Sequence, residues 1–362
     1  MIDVVKHRQN KNPLPVIDLL LLNEFDGKQE NYEIPAYRVE EFGKDYLKRV
    51  QRLLNDGYLK FSSTEESLNS LTIPRLKDIL RGNNQKLSGN KSELVKRILE
   101  NIPSKNYEGF LPKIYKLSPI GRKEIENRSA YIENKQQQYG FLNSEIESVE
   151  KTLPATEKNS AGKIFEKLFA RNMLKHQSEK NFGLLRNNYF LVHKFLIKRG
   201  RIEESLRALL TVIYFDLSGM SNDNFVEEYY SRERLLDTSI WGEIDKEKTA
   251  LNLSDDTLMK LFEESVRQTV KLPFSYFEIE TMKSMILDRL HGQMNLFERY
   301  EKYRNVPSED NPHYEYFDFS REQEFHELPE EISPKKAAAT SGCLLPCLFF
   351  FLILITIFAV TI

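Results

Sequence analysis

The chain has 362 residues, which is enough for two domains or one large one. Its 52 Lys and Arg residues nearly balance its 54 Asp and Glu residues, so the composition as a whole lacks the basic excess typical of nucleic-acid-binding proteins. Only two cysteines are present, Cys343 and Cys347. This excludes a disulfide framework and a cysteine-based zinc site from the body of the chain.

The first third of the chain predicts a helical N-terminal domain with a small hairpin. Residues 37–54 carry apolar side chains at helical spacing, and Asn55, Asp56 and Gly57 end that helix. Residues 58–61 and residues 114–117 each have the pattern of a short strand, and we expect the two strands to pair. A polar break follows, and we place a domain boundary near residues 135–155, so that residues 1–135 form the first domain.

Residues 71–102 predict two short helices joined by a loop. Pro74 stands where the first helix begins, a position that needs no backbone N–H donor. Gly82, Asn83 and Asn84 end this helix. The apolar positions recur at helical spacing, at Leu76, Ile79 and Leu80 in the first helix and at Leu94, Ile98 and Leu99 in the second. Seven basic residues against three acidic ones make the segment locally basic.

This segment resembles the SAP family, a small helix–loop–helix module whose members mostly bind DNA. The residues that carry the resemblance are Leu71-Thr72-Ile73, Ser88-Gly89-x-Lys91-x-Glu93-Leu94 and Arg97-Ile98. The family usually has Gly-Leu-Pro before its loop, whereas this chain has Asn84-Gln85-Lys86. Either a buried leucine is therefore missing, or Leu87 takes its place.

The resemblance implies that the loop and the start of the second helix bind the DNA backbone through side chains and amides. The residues expected to do so are Lys86, Ser88, Gly89, Asn90 and Lys91, with Arg75, Lys96 and Arg97 as flanking charges. The alternative interpretation is a helical hairpin whose basic face is merely solvated, or is used for packing or protein contacts.

Residues 155–305 predict a second, helical domain that serves as an interaction scaffold for protein partners. Within it, residues 189–219 resemble a tetratricopeptide-type helical hairpin, because two helical patterns meet at Lys198-Arg199-Gly200-Arg201. A single copy of this pattern predicts one hairpin and not a repeat array. This domain also carries ten basic residues between Lys163 and Arg201, for which we favour a solvated helical face over a second binding surface.

No catalytic constellation is visible in the sequence. Phosphate-binding glycine loops and nucleophile elbows are absent, and the six histidines show no metal-ligand spacing. His193 lies among Phe190, Leu191, Phe195 and Leu196, which favours a core histidine over a metal ligand. We therefore predict no catalytic residue, no cofactor, no metal site and no enzymatic activity.

The last segments predict a linker and a membrane anchor. Residues 306–342 are acidic and rich in prolines, as is typical of a linker. Residues 343–362 contain no charged side chain, and Lys335 and Lys336 precede them. A run of this length spans a hydrocarbon core, so we expect a single transmembrane helix that acts as a C-terminal tail anchor, with the body facing the cytoplasm. The alternative is a buried core helix.

Together these features predict a mainly α-helical, membrane-tethered protein that binds DNA without catalysis through its basic helix–loop–helix. The alternative is a membrane-anchored scaffold that binds proteins through the central helical domain and does not bind DNA.

Overall fold

The computed structural model describes residues 13–221, 225–226, 229 and 238–308. This part is mainly helical with one two-stranded sheet, which confirms the predicted fold class for these residues. The predicted anchor at residues 343–362 and nearly all of the predicted acidic linker lie outside the described residues. Within the described ranges, no helix is both long enough and apolar enough to cross a bilayer.

The N-terminal region is built from three helices and the predicted hairpin. The helices are α1 (Val16–Phe25), α2 (Ala36–Phe42) and α3 (Tyr46–Asn55). Strand β1 (Leu59–Phe61) pairs antiparallel with β2 (Tyr115–Leu117) in the register Leu59↔Leu117, Lys60↔Lys116 and Phe61↔Tyr115. The hairpin and the three helices share one hydrophobic core, so the two short strands are stabilised by packing as well as by their ladder.

Between the two strands the chain leaves the hairpin and returns to it. This excursion contains α4 (Thr64–Ser70), α5 (Ile73–Gly82), α6 (Lys91–Asn101) and two short 3-10 turns, Ser104–Asn106 and Glu108–Phe110. Its two ends are joined, because the Ser62 N–H donates to the Ile114 carbonyl at 2.7 Å and the Ile114 N–H donates to Ser62 Oγ at 3.1 Å. We call residues 63–113 the inserted module.

The rest of the described chain is helical. The helices are α7 (Pro119–Asn127), α8 (Ser129–Gln137), α9 (Asn143–Thr152), α10 (Ala161–Ser178), α11 (Phe182–Lys198), α12 (Ile202–Ser218), α13 (Thr238–Ala250), α14 (Asp255–Gln268), α15 (Ile279–Leu290) and α16 (Leu296–Tyr300). A 3-10 turn, Glu301–Tyr303, follows. Helices α11 and α12 form the hairpin expected at residues 189–219, and Gly200 adopts φ +69° at its turn.

The largest core surrounds α12, which is buried along most of its length. Leu206, Leu209, Leu210 and Phe215 of this helix are fully buried, and the helix packs against α11, α13 and α14. A second core joins Leu19 and Tyr131 to Phe165 and Phe195, so the two sides of the proposed boundary near 135–155 share apolar contacts. The domain boundaries themselves stay a prediction.

Candidate nucleic-acid interface

The inserted module has a hydrophobic core of its own. Leu68, Leu76, Leu80, Leu94 and Ile98 are fully buried in it. Leu87 is partly buried against the same cluster. Because Leu87 packs there, it supplies the apolar contact for which the family motif uses an earlier leucine, and the loop stays attached to the core.

A capping box fixes the start of α6. The Asn90 side chain accepts a hydrogen bond from the Glu93 N–H at 3.0 Å, and Glu93 Oε2 accepts one from the Asn90 N–H at 3.0 Å. In the described structure, the next two amides, of Lys91 and Ser92, donate to no protein acceptor. They are unsatisfied first-turn donors at the positive end of the helix dipole, which is the geometry that binds a phosphate oxygen.

Gly89 holds the turn that leads into this helix. Its φ of +130° is a conformation that residues with a Cβ rarely adopt. A Cβ at this position would also lie 2.5 Å from Glu93 Oε2, the atom that accepts the Asn90 N–H. The turn and the capping box therefore both depend on a glycine here.

Arg97 stabilises the loop through hydrogen bonds to its backbone. Its Nη1 donates to the carbonyl of Lys86 at 2.6 Å and to the carbonyl of Ser88 at 2.9 Å. A charge-assisted bond to two carbonyls two residues apart fixes the backbone between them. The structure thus gives Arg97 a role in shaping the loop in addition to its charge.

The predicted site residues fall into two groups. Lys86, Ser88, Gly89, Asn90, Lys91 and Arg97 lie together, and of these Lys86, Ser88, Gly89 and Asn90 are exposed while Lys91 is half-buried. Arg75 is exposed on the first turn of α5, and Lys96 is exposed on α6 with an ion pair to Glu100 at 3.7 Å. Across the described residues, no hydrogen bond or ion pair joins Arg75 or Lys96 to the loop. An exposed pair of this kind contributes little to stability, so Lys96 can exchange its partner for a phosphate.

The hairpin that carries the module adds cations that the sequence did not single out. Lys60 and Lys116 lie directly opposite each other in the register. They line a groove of about 630 Å³ together with Arg122 and Lys123, and with the acidic Asp26, Glu66 and Glu126. Like charges opposite each other destabilise a strand pair, and the nearby carboxylates offset part of that cost. The signal for this groove was the pairing of the two predicted strands, not a motif.

The basic residues of the central helices are mostly engaged in ion pairs. Arg186 binds Asp216 through both carboxylate oxygens at 2.9 and 2.8 Å, and Arg199 binds Glu133 in the same way at 2.8 and 3.1 Å. Arg171 pairs with Glu145 at 2.6 Å. The pairs of Arg186 and Arg199 are largely buried and stabilise the helical packing, whereas the Arg171 pair is exposed.

A different polar cluster lies inside the central helices. His193 is 5% exposed, and its Nδ1 lies 2.7 Å from Ser205 Oγ. This agrees with the expectation of a core histidine. However, Ser205 Oγ also donates to Glu247 Oε1 at 3.0 Å, and Glu243 lies one helical turn before Glu247. Sequence reasoning missed this grouping, because Glu243 and Glu247 are about fifty residues from His193.

Comparison with known protein families supports the module. The SAP domain family model matches residues 67–103, which comprise the end of α4, α5, the loop and α6. The match confirms the resemblance found at residues 71–102 and indicates nucleic-acid binding by this part of the chain. No curated protein matches the chain significantly.

Proposed function

We propose that the chain binds duplex DNA, without catalysing a reaction on it, through the SAP domain of the inserted module. The observation that carries the proposal is the loop at residues 86–91. Lys86 is exposed there, the first-turn amides have no protein acceptor in the described structure, and Arg97, Gly89 and the capping box hold the loop backbone. Because these hydrogen bonds already hold the loop backbone, less binding free energy is lost to ordering that backbone when the loop meets a phosphate.

The contacts in this proposal are to the DNA backbone. The amides of Lys91 and Ser92 bind a phosphate oxygen, and Lys86 and Lys91 neutralise the phosphate charges beside it. Arg75 and Lys96 bind flanking phosphates. Backbone contacts of this kind carry little sequence information, and their affinity falls steeply with salt because condensed counterions are released.

The test is a titration of the full chain against labelled duplex DNA by fluorescence anisotropy at several salt concentrations. Lys86→Glu/Lys91→Glu is expected to weaken binding by at least about tenfold and to reduce the slope of log K against log salt by about 2. The matched control is Lys151→Glu/Lys158→Glu, which makes the same change in charge at two exposed lysines outside the module.

Two results contradict the proposal. One is the absence of binding by the full chain at low salt. The other is an equal loss of affinity in both double variants, which would mean that only the overall charge matters. The first result favours the alternative function, a scaffold that binds proteins through the helices between residues 155 and 305, whereas the second would remove the loop as the binding site.

We further propose that residues 343–362 cross a membrane and tether the DNA-binding module to it. The support is the sequence itself, twenty residues without a charged side chain preceded by Lys335 and Lys336. The full chain is expected in the membrane fraction after carbonate washing, and a variant lacking residues 343–362 in the supernatant. A variant that replaces these residues with Gly and Ser controls for chain length. A truncated chain that stays in the membrane pellet would contradict the tether.

A further inference from the structure

His193, Ser205 and Glu247 form a buried polar cluster at the junction of α11, α12 and α13 that the proposed function does not use. His193, Ser205 and Glu247 are 5%, 0% and 1% exposed. They come from three different helices, one residue each. Glu243, one turn before Glu247 on α13, is half-buried and connects the cluster to solvent.

Hydrogen bonds satisfy only part of this cluster. Ser205 Oγ donates to Glu247 Oε1 at 3.0 Å and lies 2.7 Å from His193 Nδ1. The second carboxylate oxygen, Glu247 Oε2, is buried and has no hydrogen-bond partner among the described residues. A buried polar atom without a partner is costly, and such an atom in a folded protein calls for an explanation.

Among the described residues, no hydrogen bond or ion pair from a cation reaches Glu247 Oε2. His193 Nδ1 lies 3.4 Å from Glu247 Oε1. The two lysines beside Glu247 on α13 pair with other carboxylates, Lys246 with Glu243 at 3.4 Å and Lys248 with Asp255 at 2.6 Å. The cluster thus places an imidazole beside a buried carboxylate oxygen that has no partner in the part of the chain that the structure describes.

We propose that His193, Glu243 and Glu247 bind a divalent transition-metal ion. Each of the three residues offers one ligand atom, and these atoms all lie within 4.8 Å of one another. Two ligands of a tetrahedral ion, each about 2.1 Å from the metal, lie about 3.4 Å apart, so small side-chain rotations complete the site.

The chemistry of the three donors restricts the metal. One imidazole nitrogen and two carboxylates suit zinc or manganese, whereas magnesium and calcium prefer sites made of oxygen alone. Ser205 remains a positioning residue, because its hydroxyl holds Glu247 from outside the metal's own ligands. The bound ion would fasten α13 to α11. This proposal is independent of DNA binding, since none of these residues belongs to the inserted module.

The test uses the tag-free full chain, stripped with a chelator and then incubated with zinc or manganese chloride. Elemental analysis after gel filtration is expected to give one metal ion per chain. The thermal unfolding midpoint is expected to rise by about 3 °C or more at saturating metal, because the ion binds only the folded state.

The decisive variant is Glu247→Gln, which keeps the shape of the side chain and removes its charge. It is expected to fold, with an unchanged circular dichroism spectrum, and to lose metal affinity by at least about tenfold. Asp245→Asn is the matched control, because Asp245 is an exposed residue of the same helix. Glu243→Gln is a second test at a half-buried position, where misfolding is no concern.

Three results would overturn the proposal. The first is the absence of bound metal in the full chain. The second is a metal affinity of Glu247→Gln and Glu243→Gln equal to that of the unaltered protein. The third is a loss of metal affinity in Asp245→Asn as large as that in Glu247→Gln.

Discussion

At the scale of single residues, the candidate interface depends on side chains that shape the loop as much as on those that carry charge. Arg97 uses one guanidinium nitrogen on two loop carbonyls, and Asn90 uses its side chain on the Glu93 amide. Sequence reasoning selected Asn90 as a phosphate ligand and Arg97 as a flanking charge. In the structure, both residues stabilise the module through hydrogen bonds. Their effect on DNA binding is therefore exerted in part through the loop backbone.

Gly89→Ala is expected to destabilise the module by about 1–3 kcal/mol. One physical reason is the positive φ of Gly89. The other is that the new Cβ would displace Glu93 Oε2 and so break its hydrogen bond with the Asn90 N–H. Hydrogen exchange of the full chain is the appropriate measurement, because it reports on each segment separately. Amides of residues 86–95 are expected to exchange faster, while those of α12 are unchanged.

The matched control for this substitution is Gly82→Ala. Gly82 ends α5 in the same module, its φ is not positive, and no atom lies within 4 Å of a Cβ built there. It is expected to be neutral or slightly stabilising, since alanine has the higher helix propensity. Equal exchange rates in the two variants would contradict the account of Gly89.

At the scale of elements, local signals in the sequence predicted the pieces of the module well. Pro74 and the end signal at residues 82–84 predicted α5, and Ser88, Gly89 and Asn90 predicted the start of α6. Such signals are readable because helix caps and turns depend on residues that are close in the sequence. The two strands were also predictable, although each has only three residues. Helix α4 was not predicted, although Ser63 and Glu66 form a capping box and have the sequence spacing typical of one.

Contacts between distant elements were not predictable in the same way. The cluster of His193, Ser205 and Glu247 requires α11, α12 and α13 to pack in one particular arrangement, and nothing local in any of them specifies it. The groove lined by Lys60 and Lys116 likewise exists only because β1 pairs with β2 in this register. A single sequence records which side chains are present, but it does not record which helices meet.

At the scale of the whole molecule, the module is an insertion into a hairpin. Ser62 and Ile114 bind each other at its base, and the module's core is separate from the core around the strands. Chain segments with joined ends and their own core are tolerated as insertions because they alter the host fold little. We call the hairpin and the helices outside the inserted module the host. The host should therefore fold without the module.

We expect that replacing residues 64–112 by an Asn-Gly turn leaves the host folded and abolishes DNA binding. The ladder ends at Phe61↔Tyr115, and extending the same register by two residues places Ser63 opposite Lys113, so a two-residue turn has the length needed to close the hairpin. The expected result is a cooperative thermal unfolding transition with a midpoint within about 5 °C of that of the full chain. In the anisotropy titration, no salt-dependent binding should remain.

The comparison with Lys86→Glu/Lys91→Glu makes this deletion informative. If the two lysines supply the whole binding free energy, the deletion and the double variant lose DNA affinity to the same extent. If the deletion loses clearly more, the remaining contacts contribute, namely the first-turn amides with Arg75 and Lys96, because all of them leave with the module. DNA binding that survives the deletion would place the interface elsewhere, and the groove beside Lys60 and Lys116 would become the first site to mutate. A deletion variant that unfolds or aggregates would show instead that the module is part of the host core, contrary to the separation of their hydrophobic clusters.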